Sequence, residues 1–558
     1  MSKNSYCILL ILLSLMFFLG YSTVNASEKA EPNAKHSEYT DTDKSEQHED
    51  TSEHNVSEHA EHPANLNVEI WSIIPFALLL LGIAILPLIC NEWWEKNKNK
   101  ALFALPLGAI ALAIIIFTTE ESSALKGFHI TETMLDYVAF IALLGSLFII
   151  SGGINISGDL KGKPTTNLKI LAIGGLLASF IGTTGAAMLL IRPLLKANKY
   201  RKYVIHSVIF FIFIVANCGG LLTPLGDPPL FLGFLKGVPF EWTLINLWGY
   251  WLFVVGILLS IYFVFDSILW KREGGLSALF SSAEKAGTIL SDNKVKIKIY
   301  GKINFLLLFG VIVVVFSSGV FAIQISSQGN WNGQFFESMR KGTILEKMAA
   351  VKLGQSFFMM MLAMISLKLT PVRGEIRKKN EFTFYAIIEV AVLFLGIFLA
   401  MIPALQYLNS YGSELFTSVK STFNIASDQA CPMIPFWLTG SLSSFLDNAP
   451  TYLTFMATIQ GSLSDIAGQA ITPSQIAAGS VIDVSPMMLA GLSTGAVFMG
   501  SMTYIGNGPN FMVKSIAEQS GVKMPSFFGY MIWSILILIP IFILLNLIWF
   551  QSVKFTVL

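Results

Sequence analysis

Asn217-Cys218-Gly219-Gly220-Leu221-Leu222-Thr223-Pro224-Leu225-Gly226-Asp227-Pro228-Pro229 is the stretch on which the fold turns. It lies inside a long apolar run, yet glycines, prolines and one aspartate crowd its centre, and an unbroken helix does not hold such a density of Gly and Pro. Thr223 to Pro229 returns, shifted by 280 residues, as Thr503-Tyr504-Ile505-Gly506-Asn507-Gly508-Pro509, with Gly220 facing Gly500 and Phe231 facing Phe511. A second pair stands in the same order: Ser179-Phe180-Ile181-Gly182-Thr183-Thr184 and Ser444-Phe445-Leu446-Asp447-Asn448-Ala449, with Gly175 and Leu177 facing Gly440 and Leu442. The chain therefore carries an internal repeat whose most alike parts are interruptions.

The composition says what surrounds those interruptions. Of 558 residues, 53% are hydrophobic and 13% charged, about half the roughly 25% of soluble domains. A mean hydropathy of +0.63 excludes an ordinary water-soluble globule. Apolar stretches long enough to cross a bilayer run near 70 to 90, 101 to 118, 134 to 154, 244 to 270, 303 to 323, 350 to 370, 381 to 403 and 526 to 550. Four scattered cysteines suggest neither disulfides nor a metal site, and no nucleic-acid signature or P-loop is present.

Residues 1–26, with Lys3, an apolar run from Ile8 to Leu19 and a small-residue ending at Ala26, read as a signal peptide, a first membrane helix being the alternative. Residues 27–66 read as a disordered, acidic, exported tail holding His36, His48, His54, His59 and His62. Its imidazoles suit periplasmic metal gathering as well as a plain solvated leader.

From Leu168 to Ala197 the chain is apolar but flanked on both sides by cations, Lys161 and Lys163 before it and Lys196, Lys199, Arg201 and Lys202 after. Both flanks favour the cytoplasm, so the segment reads as a re-entrant hairpin with its tip between Phe180 and Gly185. Such backbone is tolerated at membrane depth only where protein or water surrounds it. The expectation is an all-α polytopic membrane protein of ten spans, two re-entrant hairpins and two broken transmembrane helices, with tail and C-terminus periplasmic. A first half, 67–270, joins an inverted second half, 303–558, through a cytoplasmic linker at 271–302. Inverted repeats with interrupted helices point to a secondary transporter whose site lies at the membrane midplane.

The polar side chains at the interruptions are Thr183, Thr184, Asn217, Thr223, Asp227, Asp447, Asn448, Thr451, Thr503, Asn507 and Asn510. They offer oxygens and two carboxylates, while Arg192 and Lys514 each stand seven residues from the nearest break, so a multivalent anion finds little countercharge. Oxygen ligands suit a hard cation, and a carboxylate inside a membrane is costly unless protonated, paired or metal-bound. Exchange of Na+ for H+ is the expected activity. Asp447, Asp227 and Glu389, the last within a span, are the proton-carrier candidates. Structural alternatives stand beside two of them: Asp447 or Asn448 as a helix cap ahead of Pro450, and Asp227 as a turn-forming residue.

At these residues the chain resembles the ion transporter superfamily, in the branch of NhaD-type sodium/proton antiporters, arsenite permeases and citrate-transporter-like proteins. The match rests on Asn217 to Pro229, ending in G-D-P-P, on Leu446-Asp447-Asn448-Ala449-Pro450-Thr451, and on Gly506-Asn507-Gly508-Pro509-Asn510. The resemblance covers roughly 70 to 550. It implies a homodimer in the inner membrane, a scaffold and a moving transport domain, elevator-like alternating access, and small cations as cargo with no cofactor. Thr183-Thr184-Gly185 stands where carboxylate-transporting relatives carry Ser-Asn-Thr, which favours antiport and leaves cation-coupled citrate or organic-anion symport as the alternative. An intramembrane aspartyl protease is excluded, since Pro224 and Leu446 replace residues that reading requires.

Overall fold

The computed structural model describes residues 66–94, 96–158, 160–285, 298–326, 344–422, 429–554 and 556–557. The signal-peptide and histidine-tail expectations lie outside the described residues, as do positions 286–297 of the linker. The chain divides into two compact units. In one, comprising 1–64 and 85–96, the described part holds the end of helix Ile74–Ile89 and the short helix Asn91–Trp94. The other, 65–84 and 97–558, contains everything below.

The chain is an all-α polytopic membrane protein, and among the described residues ten helices are long and apolar enough to cross a bilayer. Each half runs through the same order. The first has helices Ile74–Ile89, Asn97–Thr118 and Ser123–Gly152, a hairpin of Pro164–Ile181 and Thr183–Ala197, a helix broken between Ile205–Ile214 and Pro228–Leu235, and helix Phe240–Arg272. The second has Ile303–Ser326, Ile344–Leu369 and Tyr385–Thr422, a hairpin of Met433–Ser443 and Asn448–Ala467, a helix broken between Ser485–Met499 and Gly508–Gln519, and Phe527–Trp549. Two small antiparallel ladders repeat the correspondence: Asn155–Ser157 pairs with Lys298–Tyr300, and Gln429–Ala430 with Val553–Lys554. In each, the strand before a hairpin pairs with a segment beyond that half's last helix.

Pro164–Ile181 is apolar and long enough to count as a span, yet the chain returns beside it. Asn167 and Asn198, at the two feet, donate to each other's side-chain oxygens at 2.9 Å. The turn is Gly182, at φ +79°, a region that only glycine enters without strain. It falls within the tip expected from the charges.

Two helices exceed their expected spans. Ser123–Gly152 begins eleven residues before the apolar run, taking in His129 and Glu132, and Tyr385–Thr422 continues far past residue 403. Polar residues continue a helix where other helices cover them, and hydropathy alone does not see that cover.

The first halves of the broken helices are buried on all sides, His206 to Ile214 and Met488 to Met499, and form the centre. Around them the remaining helices form a scaffold. Asn97–Thr118 crosses Tyr385–Thr422 at glycines: a Cβ on Gly396 would stand 2.6 Å from the Ala104 carbonyl oxygen, and one on Gly108 3.1 Å from the Gly396 oxygen. Arg377, fully buried, donates to the Thr370 and Ile149 carbonyls at 2.5 and 2.6 Å and to Ser366 Oγ at 2.8 Å, joining the last turns of Ile344–Leu369 and Ser123–Gly152. A cation there meets the negative ends of two helix dipoles.

Gly396→Leu should therefore lower the melting temperature of the detergent-solubilised protein by several degrees, an overpacking cost of about 1–3 kcal/mol. Gly127→Ala, whose Cβ meets nothing within 4 Å, should leave it equal or higher.

Candidate functional site

Both interrupted segments fold back on themselves in the same way. After Ile205–Ile214 comes one 3-10 turn, Cys218–Leu222, and after Ser485–Met499 another, Gly500–Met502. The chain then turns, the Gly226 N–H donating to Thr223 O at 2.9 Å in the first segment, and starts the short helices at Pro228 and Gly508. A Cβ on Gly226 would stand 2.1 Å from Gly220 O, and a Cβ on Gly506 2.6 Å from Gly500 O. The glycines that match between the repeats are thus places where backbone lies on backbone.

Thr223 and Thr503 clip these segments to the hairpins. Thr223 Oγ1 donates to the Ser179 carbonyl and Thr503 Oγ1 to the Ser444 carbonyl at 2.5 Å. Each hydroxyl also accepts a backbone N–H two residues on, from Leu225 and Ile505, at 3.2 Å. The Thr183 N–H donates to Gly226 O at 2.9 Å, so the first hairpin's tip lies on the first unwound segment.

The two repeats meet at Asp227. Its Oδ1 accepts from Thr183 Oγ1 at 3.0 Å and Asn507 Nδ2 at 3.2 Å, and its Oδ2 accepts from Asn448 Nδ2 at 2.5 Å. These donors come from the first hairpin, the second broken helix and the second hairpin. Asp227 and Asn507 occupy the N-cap positions of their short helices, but neither side chain caps. The turn-forming reading of Asp227 therefore does not describe its bonds. Asn217 extends the network, donating to Asn510 Oδ1 at 2.7 Å and accepting from Asn507 Nδ2 at 3.2 Å. Asn510 in turn donates to the carbonyls of Gly500 and Thr503 at 2.8 and 2.9 Å. Asn448 Oδ1, in a fully buried residue, has no hydrogen-bond partner.

Asp447 behaves differently. It is half-buried at the second tip and accepts from the Ala449 N–H at 3.1 Å, which is the capping role. Thr451 bonds back to the Asp447 carbonyl at 2.9 Å within its own helix. Glu389 is not brought to the interruptions, since it pairs with Lys100 at 2.5 Å. Arg192 and Lys514 pair with Glu381 and Glu518.

A cavity of about 70 Å³ opens beside Asp227, lined by Thr183, Thr184, Gly226 and, across from them, Leu147, Phe148 and Ile387. Several ordered waters, at 10–15 Å³ or more each, fit such a space. Helix Thr183–Ala197 begins at this wall, and its first-turn N–H groups have no acceptors inside the helix. The lining includes neither Lys nor Arg. Among the described residues no three His, Cys, Asp or Glu side chains gather to hold a metal ion.

The match with known proteins agrees with this arrangement. A family model described as "Putative citrate transport" covers residues 65–550. The chain belongs to that family. It is thus a multi-pass membrane protein of the secondary-transporter kind. No curated protein matches the chain. The sodium/proton and arsenite side of the sequence resemblance receives no support from this family, whose description fits the organic-anion alternative better.

Sequence reasoning named the residues of the node but not its hierarchy. It placed Asp447 ahead of Asp227, because the bond from Asn448 to Asp227 joins positions 221 residues apart and leaves no local trace. Ser179, which donates to Gly219 O at 2.5 Å and accepts the Leu222 N–H at 3.1 Å, was missed. Its recurrence as Ser444 was the available signal.

Asp227→Ala would strand three buried donors, each at a cost of about 1–3 kcal/mol. Asp447→Ala removes a single cap of about 1 kcal/mol. Thermal unfolding in detergent should therefore rank Asp227→Ala clearly below Asp447→Ala, and Asp227→Ala with Asn448→Ala should fall less than the sum of the single changes. The opposite ranking would remove Asp227 from the centre of the network.

Proposed function

We propose that this protein is a cation-coupled symporter of citrate-like organic anions, working by elevator-like alternating access. One observation supports the reading above others. A buried carboxylate, Asp227, lines a cavity that has no basic residue in its wall, and Asn448, whose Nδ2 bonds to that carboxylate, keeps a buried amide oxygen without a partner.

A carboxylated substrate entering that wall meets hydroxyls and helix N-terminal N–H groups, which favour anions, but no full positive charge. Asp227 repels it. A cation held by Asp227 and Asn448 Oδ1 removes the repulsion and supplies the missing charge, so anion and cation bind each other's site and move in the same direction. This coupling is electrostatic and reciprocal. Thr183 and Thr184 hold the anion's side of the site. Asn217, Asn507 and Asn510 keep the unwound segments in register.

Exchange of Na+ for H+ without an organic anion draws on the carboxylates alone and leaves the family's description without a role. The excess of Lys and Arg on the first hairpin's side supports placing that face in the cytoplasm of a cell with the tail outside.

Proteoliposomes test the proposal directly. Labelled citrate should accumulate when an inward Na+ or H+ gradient is imposed, and Asp227→Asn should reduce that uptake about tenfold or more. Dissipation of a pH gradient by NaCl with no citrate present, abolished by Asp227→Asn, would replace symport with antiport.

A further inference from the structure

The two hairpins are packed unequally against the scaffold. The second hairpin's long arm lies backbone against backbone on helix Tyr385–Thr422: a Cβ on Gly461 would stand 2.5 Å from Asn409 O, and one on Gly412 2.8 Å from Thr458 O. The first hairpin's tip touches helix Ser123–Gly152 through side chains instead, a Cβ on Gly182 standing 3.6 Å from Leu147 and one on Gly185 3.3 Å from Ser151 Oγ, and a cavity opens beside it. Its scaffold lining comes from Leu143 to Phe148, close to the end of that helix, and from Ala386 to Val390, at the start of Tyr385–Thr422. Both helix ends lie on the face where the first hairpin enters, so the looser hairpin packing lies toward that face.

Near the opposite face stands a cluster that the transport site does not use. Lys236, the residue after the half-helix Pro228–Leu235, places Nζ 2.8 Å from Glu132 Oε1 and 2.9 Å from Asp136 Oδ2. The other oxygen of Asp136 is held by Lys352 Nζ, from helix Ile344–Leu369. Asp136 and Lys352 are 1% and 7% exposed. On the next turn, Gln355 Oε1 accepts from Ser318 Oγ at 3.0 Å while its Nε2 has no partner. Two cations and two carboxylates at membrane depth balance one another, and each would be expensive alone. Only Lys236 belongs to the interrupted elements. The other three belong to scaffold helices.

The repeat makes the pairing one-sided. The register that sets Gly506 on Gly226 places Ile516 where Lys236 stands. If the packing of the two hairpins is exchanged, opening the site to the other face, the second half has no cation at that position, and Lys514, two residues before it, is paired with Glu518 on its own helix.

We propose that Lys236 with Glu132, Asp136 and Lys352 is an ionic latch that holds the hairpins and broken helices in the state open toward the first hairpin, and that it opens in every transport cycle. The latch rests on the elevator reading above, but not on the identity of the substrate. The pair between Arg192 and Glu381, at 2.8 Å, does not serve the same purpose, because Glu381 is 69% exposed and water competes for it.

The test reads the state rather than the flux. Thr184→Cys, in a full-length chain with Cys7, Cys90, Cys218 and Cys431 changed to alanine, reports access to the cavity wall through an impermeant maleimide added to oriented membrane vesicles. The parent should label faster from the first hairpin's face. Lys236→Met should slow labelling from that face and speed it from the other, each by about threefold or more, as a released two-state equilibrium requires. Lys379→Met, which removes the exposed pair with Glu375, should change neither rate. Because unpaired carboxylates can harm folding, Lys236→Glu combined with Glu132→Lys is the second variant, and it should restore the parental rates. Parental labelling in a monodisperse Lys236→Met protein, or a charge exchange that folds but does not restore the rates, would overturn the latch. A shift in labelling, together with no citrate-dependent transport by the parental protein with Thr184 intact, would sustain the latch and count against the substrate reading.

Discussion

A single carboxylate, Asp227, constrains the centre of the molecule. It is 1% exposed, no lysine or arginine bonds to it, and its partners are one hydroxyl and two amides. Moving a bare carboxylate from water to such a place is among the costlier operations a fold performs. Neutral donors offset it only when all of them arrive together. They come from three different interrupted elements, so the charge and the convergence of the hairpins depend on each other. Without the first hairpin's tip, the second hairpin's tip and the second unwound segment in place, the carboxylate has no environment. Without the carboxylate, three buried donors point at nothing.

Convergence at one point also requires backbone to approach backbone, and this is where the glycines act. Gly226 rests on Gly220 and Gly506 on Gly500, at distances that exclude any side chain. The fold-back brings the short helices Pro228–Leu235 and Gly508–Gln519 to start beside the opposing hairpin tips. Thr223 and Thr503 then satisfy the carbonyls of Ser179 and Ser444, which no helix supplies. The two halves solve one problem in one way. At the unwound segments they differ in one charged position, Asp227 against Asn507, and at the hairpin tips in another, Gly182 against Asp447.

Much of this was legible because the problem is local. A glycine needed for a fold-back, a threonine that clips it and a turn such as Gly182 leave a mark in the residue itself, and a repeat doubles the mark. The flanking cations told a hairpin from a span, and the mutual bonds of Asn167 and Asn198 are the physical form of that conclusion. What escaped was pairwise and distant. Glu389 read as a lone intramembrane carboxylate because its partner, Lys100, is 289 positions away. Lys236 and Lys352 drew no notice in the sequence, although both bind Asp136 on another helix. Asp447 looked the stronger of the two aspartates, and only the path of the chain assigns a cap to it and the inter-repeat node to Asp227.

The departures from symmetry carry the functional argument. If both repeats bore aspartate, two like charges would lie near one another at the centre, and if both bore asparagine, nothing there would favour a cation over water. One aspartate gives a site that is negative by a single charge when ionised, and so short of a cation and unable to hold an anion unaided. The same economy recurs at the edge of the moving elements, where one repeat has Lys236 and the other Ile516. Symmetry in the backbone gives both halves the same fold-back and the same hairpin. Asymmetry in a few charged side chains gives the centre its one inter-repeat carboxylate and one edge its cluster of paired charges.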